Sequence, residues 1–160
     1  MMVENSLKLL ARNARKRLLI GIGVELLLKA VYLQQGFCIN KPAASTPLKF
    51  PFLAKSVKPQ QLQKDQTFML NDLLQHLPKV VNLSDKTLTC KGLNIAKVFR
   101  NKEGHVVTTT HAFDASNYTD IAISLEHLYK DAFQEHLAVR FSVKPNEPAV
   151  WKISPLTRSS

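Results

Sequence analysis

Arg100, Asn101 and His105 are the residues of this chain whose types and spacing could carry chemistry. They stand in the stretch Lys97-Val98-Phe99-Arg100-Asn101-Lys102-Glu103-Gly104-His105, which reads as the last turn of a helix followed by a sharp stop. Leu93, Ala96, Phe99 and Lys102 share one helical period, and Gly104 falls where a left-handed cap belongs. The three polar groups are thereby gathered at a helix C-terminus. Together they offer a permanent cation, an amide that both donates and accepts, and a group that titrates near neutral pH. Phosphodiester chemistry needs those three properties and can run on them without a metal. Arg and His at a helix end also complement the helix dipole, so electrostatic stabilisation is the competing reading of the same residues.

The rest of the chain supplies no metal site. The acidic residues nearest the motif are Glu103 and Asp114, with no further carboxylate between Asp85 and Asp120. A two-metal centre needs several convergent carboxylates. His76 reads as a surface or boundary residue of a helix, His111 as a loop residue, and His127 and His136 as too far apart for one face. Cys38 and Cys90 are distant in sequence and belong to no ligand pattern, so they read as reduced thiols of a cytoplasmic protein. No metal and no cofactor is expected.

The charge balance is 22 Lys+Arg against 12 Asp+Glu in 160 residues, a formal +10. That excess suits a polyanion such as RNA, DNA or an anionic surface without choosing among them. Arg12, Arg15, Lys16 and Arg17 cluster in the opening helix, expected over residues 4–35, and read either as a solvated face or as an RNA contact. Residues 18–33 of the same helix are apolar on nearly all sides. Glu25 and Lys29 near the middle argue for a helix at the centre of a bundle, with neighbours all round, and against a membrane span. Gly21 and Gly23 are expected to admit another backbone, and Glu25 and Lys29 to form a simple intrahelical ion pair.

Gly36 ends this helix. A loop punctuated by Pro42, Pro47, Pro51 and Pro59 follows, anchored by Phe50, Phe52, Leu53 and Val57. A second helix is expected from near Thr67 to Pro78, with Phe68, Leu70, Leu73, Leu74 and Leu77 on one face. The third starts at Ser84 or Asp85 and carries the motif at its far end. After the β-branched run 106–110, a fourth is capped near Ser116 or Asn117 and turns Tyr118, Ile121, Ala122, Leu125, Tyr129, Ala132, Phe133 and Leu137 to the core. Alternation of Val139, Phe141 and Val143, a Pro-rich turn, and then Ala149, Trp151 and Ile153 predict a β-hairpin. The expected architecture is therefore all-α, an up-and-down bundle of about four to five helices over residues 1–138 with a C-terminal hairpin and tail over 139–160.

This order of elements resembles the HEPN (higher eukaryote and prokaryote nucleotide-binding) domain family over roughly residues 3–138. The features that carry the likeness are the helix with Glu25-Leu26-Leu27-Leu28-Lys29, the motif Arg100-Asn101-Lys102-Glu103-Gly104-His105, and a long helix downstream. The family's signature is an Arg, usually followed by a polar residue and often Asn, with four to six residues before a His; here four intervene. Arg12-Asn13 is followed by no such His. The resemblance implies a metal-independent ribonuclease, a toxin or phage-defence effector that works as a homodimer with two motifs in one cleft. It implies Arg100 and His105 as the catalytic pair with Asn101 positioning, and an antitoxin or defence-system protein as a possible partner. Members paired with a small nucleotidyltransferase antitoxin often carry Tyr two residues after the His, where this chain has Val107.

In that reading the substrate's 2′-hydroxyl is the nucleophile. His105 accepts its proton or protonates the leaving 5′-oxygen, and Arg100 holds the phosphate as its charge grows. Arg12, Arg15, Lys16, Arg17, Lys97 and Lys102 would track the flanking RNA backbone. The rival readings are a non-catalytic nucleotide- or RNA-binding module and a structural adaptor whose basic face meets a partner protein.

Overall fold

The computed structural model describes residues 2–103, 115–135, 137–142 and 150–155. His105, His111 and His136 lie outside the described residues, as do Gly104 and Val107. The architecture is mostly helical, with helices α1 (Met2–Gln34), α2 (Leu70–Val80), α3 (Lys86–Glu103) and α4 (Ala115–Phe133).

The termini of α1 and α3 follow from local chemistry. Gly36, at φ 82°, takes the left-handed position after α1. Its N–H reaches the Leu33 carbonyl and the Phe37 N–H reaches that of Tyr32, the paired bonds of a Schellman cap. The Phe37 ring meets the Tyr32 ring edge-on, closing the cap with an apolar contact. Asp85 caps α3 as its residue type predicts, its Oδ1 accepting the Leu88 N–H at 2.9 Å.

The second helix departs from expectation at both ends. It starts at Leu70 rather than near Thr67, because Leu62–Thr67 is a strand, β2, paired antiparallel with β1 (Asn40–Pro42). The polar run Gln63-Lys64-Asp65-Gln66 hides that strand, since it has no apolar face to alternate. The helix also continues past Pro78 to Val80. Leu77 and Val80 are both buried, and Val81 N–H still bonds the Leu77 carbonyl, so the proline removes one hydrogen bond without ending the turn. In the loop, Phe52 is buried and Phe50 and Val57 are half-buried, but Leu53 is exposed and does not anchor it.

The helices pack chiefly as α3 on α4 and α1 on α3. Antiparallel α3 and α4 approach closely at Gly92, where a Cβ would lie 2.2 Å from the Asp120 carbonyl oxygen. Ser124 fastens the same crossing: its Oγ accepts the Gly92 N–H at 2.9 Å and donates to the Leu88 carbonyl at 2.7 Å. Gln35 at the end of α1 donates to the Ala132 carbonyl at the end of α4, while Gly21 lies against Arg100. Helix α1 thus runs antiparallel to α3. The core between them holds Leu28, Val31, Tyr32, Leu93, Ala96, Phe99, Ile121 and Leu128, all fully buried.

One expectation about α1 fails. Its apolar second half does not have neighbours all round, because Leu19, Leu26 and Leu33 are exposed. Beyond α4, strands β3 (Leu137–Ser142) and β4 (Val150–Pro155) pair antiparallel, Phe141 opposite Trp151. Leu137, expected on the core face of the fourth helix, instead opens β3 because α4 ends at Phe133, and it packs on the helical core from there.

Candidate functional site at the end of the third helix

Helix α3 presents Arg100 and Asn101 in its last turn, and α1 crosses them at Gly21. A Cβ on Gly21 would stand 2.7 Å from Arg100 Cβ and 2.9 Å from its Cα, so glycine is what admits the α3 backbone here. Gly23, expected to do the same, has nothing among the described residues within 4 Å of its Cβ position.

One turn along α1 from Gly21, Glu25 meets the arginine. Its Oε2 lies 3.3 Å from Arg100 Nε, while its Oε1 accepts from Lys29 Nζ at 2.9 Å. The Arg100 contact is a charge contact rather than a hydrogen bond, because Nε is buried and has no aligned acceptor among the described residues. Lys29 donates onward to Thr67 Oγ1 at 3.0 Å, tying the group to the end of β2. Glu25 is 13% exposed and Lys29 18%, against 33% for Arg100. Since Nε itself is covered, the accessible third of the arginine lies elsewhere on the side chain. Two cations share one carboxylate among the described residues, which leaves a net positive charge in a half-buried setting. Such a setting favours an anion more than a fully solvated arginine would.

Asn101 is exposed beside it. Along the same face of α3, at helical spacing, come Lys97, Asn94 and Cys90. With Asn71, Leu74 and Gln75 of α2 they line a cleft of about 340 Å³. Lys97 Nζ reaches Asn71 Oδ1 at 3.4 Å across it. Burial pushes the Cys90 thiol pKa up, with nearby Lys86 pulling the other way. Both cysteines are free.

The basic cluster of α1 is divided by the helix. Arg12 and Arg15 are exposed on its outer side, whereas Lys16 and Arg17 are half-buried and engaged with neighbouring groups. Arg17 stands one turn before Gly21 on the same side, level with the end of α3. Of the residues singled out in sequence, the fold thus gathers Arg100, Asn101, Lys97 and Arg17 at one end of α3. It leaves Arg12 and Arg15 apart. The side chain of Lys102 and the whole of His105 fall outside the described residues.

Sequence reasoning missed the bridging role of Glu25. A carboxylate inside an apolar helix must be paired when buried, but Lys29 in the favourable order already satisfied that demand. Only the fold brings a second cation to the other oxygen.

Among the described residues no group of three His, Cys, Asp or Glu side chains could hold a metal ion, and no helix is long and apolar enough to cross a membrane. No protein-family model, curated protein or solved structure matches this chain.

Proposed function

We propose that this chain is a metal-independent endoribonuclease of the HEPN kind, with Arg100, Asn101 and His105 as its catalytic group. The observation that carries the reading is the half-buried Arg100, its Nε 3.3 Å from the Glu25 carboxylate and left with excess positive charge by Lys29 on the same carboxylate. A guanidinium fixed on one side is preorganised for a phosphate on the other, which saves the cost of ordering it as charge develops. RNA carries its own nucleophile, so the protein has little covalent work to do. The 2′-oxygen loses its proton and attacks phosphorus, the P–O5′ bond breaks, and the 5′-oxygen gains a proton. The products end in a 2′,3′-cyclic phosphate and a 5′-hydroxyl. His105, with four residues between it and Arg100, moves the proton if its pKa lies near neutrality. Asn101 orients the phosphate, and Lys97 and Arg17 meet the flanking backbone. Exposed Arg12 and Arg15 add long-range attraction rather than contacts at the site.

The same reading makes the protein a homodimer acting on RNA in the cytoplasm as a toxin or phage-defence effector, with an antitoxin or defence component as its protein partner. A second reading, a non-catalytic nucleotide- or RNA-binding module, is favoured by the amide-rich cleft of Asn71, Gln75 and Asn94 beside Lys97. Substitution separates the two. Arg100→Ala and His105→Ala each abolish cleavage with the helical signal unchanged. Arg100→Lys also fails, because an ammonium cannot reproduce the guanidinium fork. His111→Ala remains active. Loss of cleavage in His111→Ala but not in His105→Ala would overturn the assignment. RNA affinity that falls steeply with salt, without any cleavage, would favour the binding module.

A further inference from the structure

Asn101 ends a row along α3. Cys90, Asn94, Lys97 and Asn101 follow one another at steps of four, three and four residues, which places them on one face of the helix. Cys90, Asn94 and Lys97 form one wall of the cleft between α2 and α3, and Asn71, Leu74 and Gln75 form the other. The two helices run antiparallel, since Lys97 toward the end of α3 reaches Asn71 at the start of α2. The cleft therefore opens at its Lys97 end beside Asn101 and Arg100. Leu74 is buried and Cys90 half-buried, so they make the floor, while the amides of Gln75 and Asn94 stand exposed at the two rims. Neither amide bonds another group among the described residues, whereas that of Asn71 is engaged by Lys97. Burial favours the protonated Cys90 thiol, which leaves Lys97 as the charged group among the described lining residues.

We propose that this cleft is a subsite for one adenine of an RNA strand whose phosphate lies at Arg100, read by Gln75 from one wall and Asn94 from the other. The proposal rests on the reading that the end of α3 engages RNA, and it adds which base lies beside that end. At about 340 Å³ the cleft has room for a purine lying flat on Leu74 and Cys90. An amide sets one donor beside one acceptor, so it pairs bidentately with a base edge that does the same. Adenine has two such edges, because its N6 amino group turns one hydrogen toward N7 and the other toward N1. Two amides on facing walls can then hold both edges, with the ribose pointing along the cleft toward Lys97 and Arg100. Uracil and cytosine have one ring donor or one amino edge to share, so one of the two amides is left unpaired. Guanine shows two acceptors at O6 and N7, an edge suited to a cation rather than an amide. Its other amino edge, N2 with N3, lies against its own ribose, where a wall would collide. Lys97, at the open end, stays with the phosphate backbone, and Asn71 holds it there.

The test uses the full chain carrying His105→Ala, so that the RNA survives the measurement. Labelled oligouridines with a single A, C, G or U at the centre are titrated by fluorescence anisotropy in EDTA. The adenine strand should bind at least about tenfold more tightly than the other three. Strands with 7-deazaadenine or 1-deazaadenine in its place should each lose most of that gain, since each lacks one ring acceptor. Gln75→Ala and Asn94→Ala, both exposed substitutions, should bring the ratio close to one. They should leave oligouridine affinity and the helical signal unchanged. Lys97→Met should instead weaken all four strands alike and lower the salt dependence. Equal binding of the four strands overturns the subsite alone, and binding of none overturns it together with the RNA reading beneath it. An adenine preference that survives the Gln75→Ala, Asn94→Ala double variant also overturns it. So does AMP binding as tightly as the adenine strand, which marks a site for a free nucleotide. Cleavage of the same strands by the parent protein is read beside these titrations. An adenine preference without cutting removes only the nuclease reading, and cutting without regard to adenine removes only this one.

Discussion

Arg100 owes its setting to Glu25, and the strength of that dependence can be measured. Glu25→Gln keeps the shape of the side chain but removes the charge shared by Arg100 and Lys29. The expected cost in stability is about 1–2 kcal/mol, below that of breaking a fully buried pair because Arg100 is partly solvated. Cleavage should fall by at least about tenfold, as the guanidinium loses its fixed direction. Chemical denaturation and single-turnover rates read the two effects separately. Full activity in Glu25→Gln would show that Arg100 positions itself. Tyr32 offers a second residue-level test. Its hydroxyl donates to the Leu73 carbonyl at 2.8 Å, and burial, helped by the charge of Asp72, pushes its pKa well above the usual phenol value of 10.0. The folded state keeps the proton where the unfolded chain would release it. Its contribution is therefore complete below pH 10 and is lost as the pH rises beyond. Tyr32→Phe should cost about 1 kcal/mol at neutral pH and lessen the decline in stability at alkaline pH relative to the parent. An equally steep alkaline decline in both proteins would contradict this.

At the scale of elements, α3 is held between two glycine crossings, one on each side. Gly92→Ala would force a methyl into the Asp120 carbonyl of α4 and should destabilise by about 1–3 kcal/mol. Ser124→Ala should cost a similar amount, since it removes both hydrogen bonds that Ser124 makes to α3, from the Gly92 N–H and to the Leu88 carbonyl. Thermal melts check both, and a neutral Gly92→Ala would mean that the α3–α4 spacing is looser than described. These crossings also show what the sequence could convey. The core stripe Leu93-Ala96-Phe99 and the α2 face were legible because helical periodicity records burial directly. The Gly36 and Asp85 caps were legible because residue type and position suffice. Strand β2 was not, because its polar residues follow no period and pair only with a distant segment. The exposed leucines of α1 were not legible either: composition marks a helix apolar all round but cannot say which of its sides finds a neighbour.

For the whole molecule, the +10 charge and the excess positive charge at the end of α3 are the two features on which the proposed engagement of a polyanion rests. The motif residues were readable as a spacing, but their anchoring was not, since Gly21 and Glu25 are remote in sequence from Arg100 and meet it only through the antiparallel crossing of α1 and α3. The central claim is that this arrangement cleaves RNA through the substrate's own hydroxyl and without a metal. The direct measurement is cleavage of a labelled RNA by the purified protein in excess EDTA, beside the same RNA fully 2′-O-methylated. The unmodified strand should be cut to fragments ending in 2′,3′-cyclic phosphate, and the methylated strand should stay intact because its nucleophile is blocked. Cutting of the methylated strand, strict dependence of the chemical step on a divalent ion, or no cutting of any RNA would contradict the account.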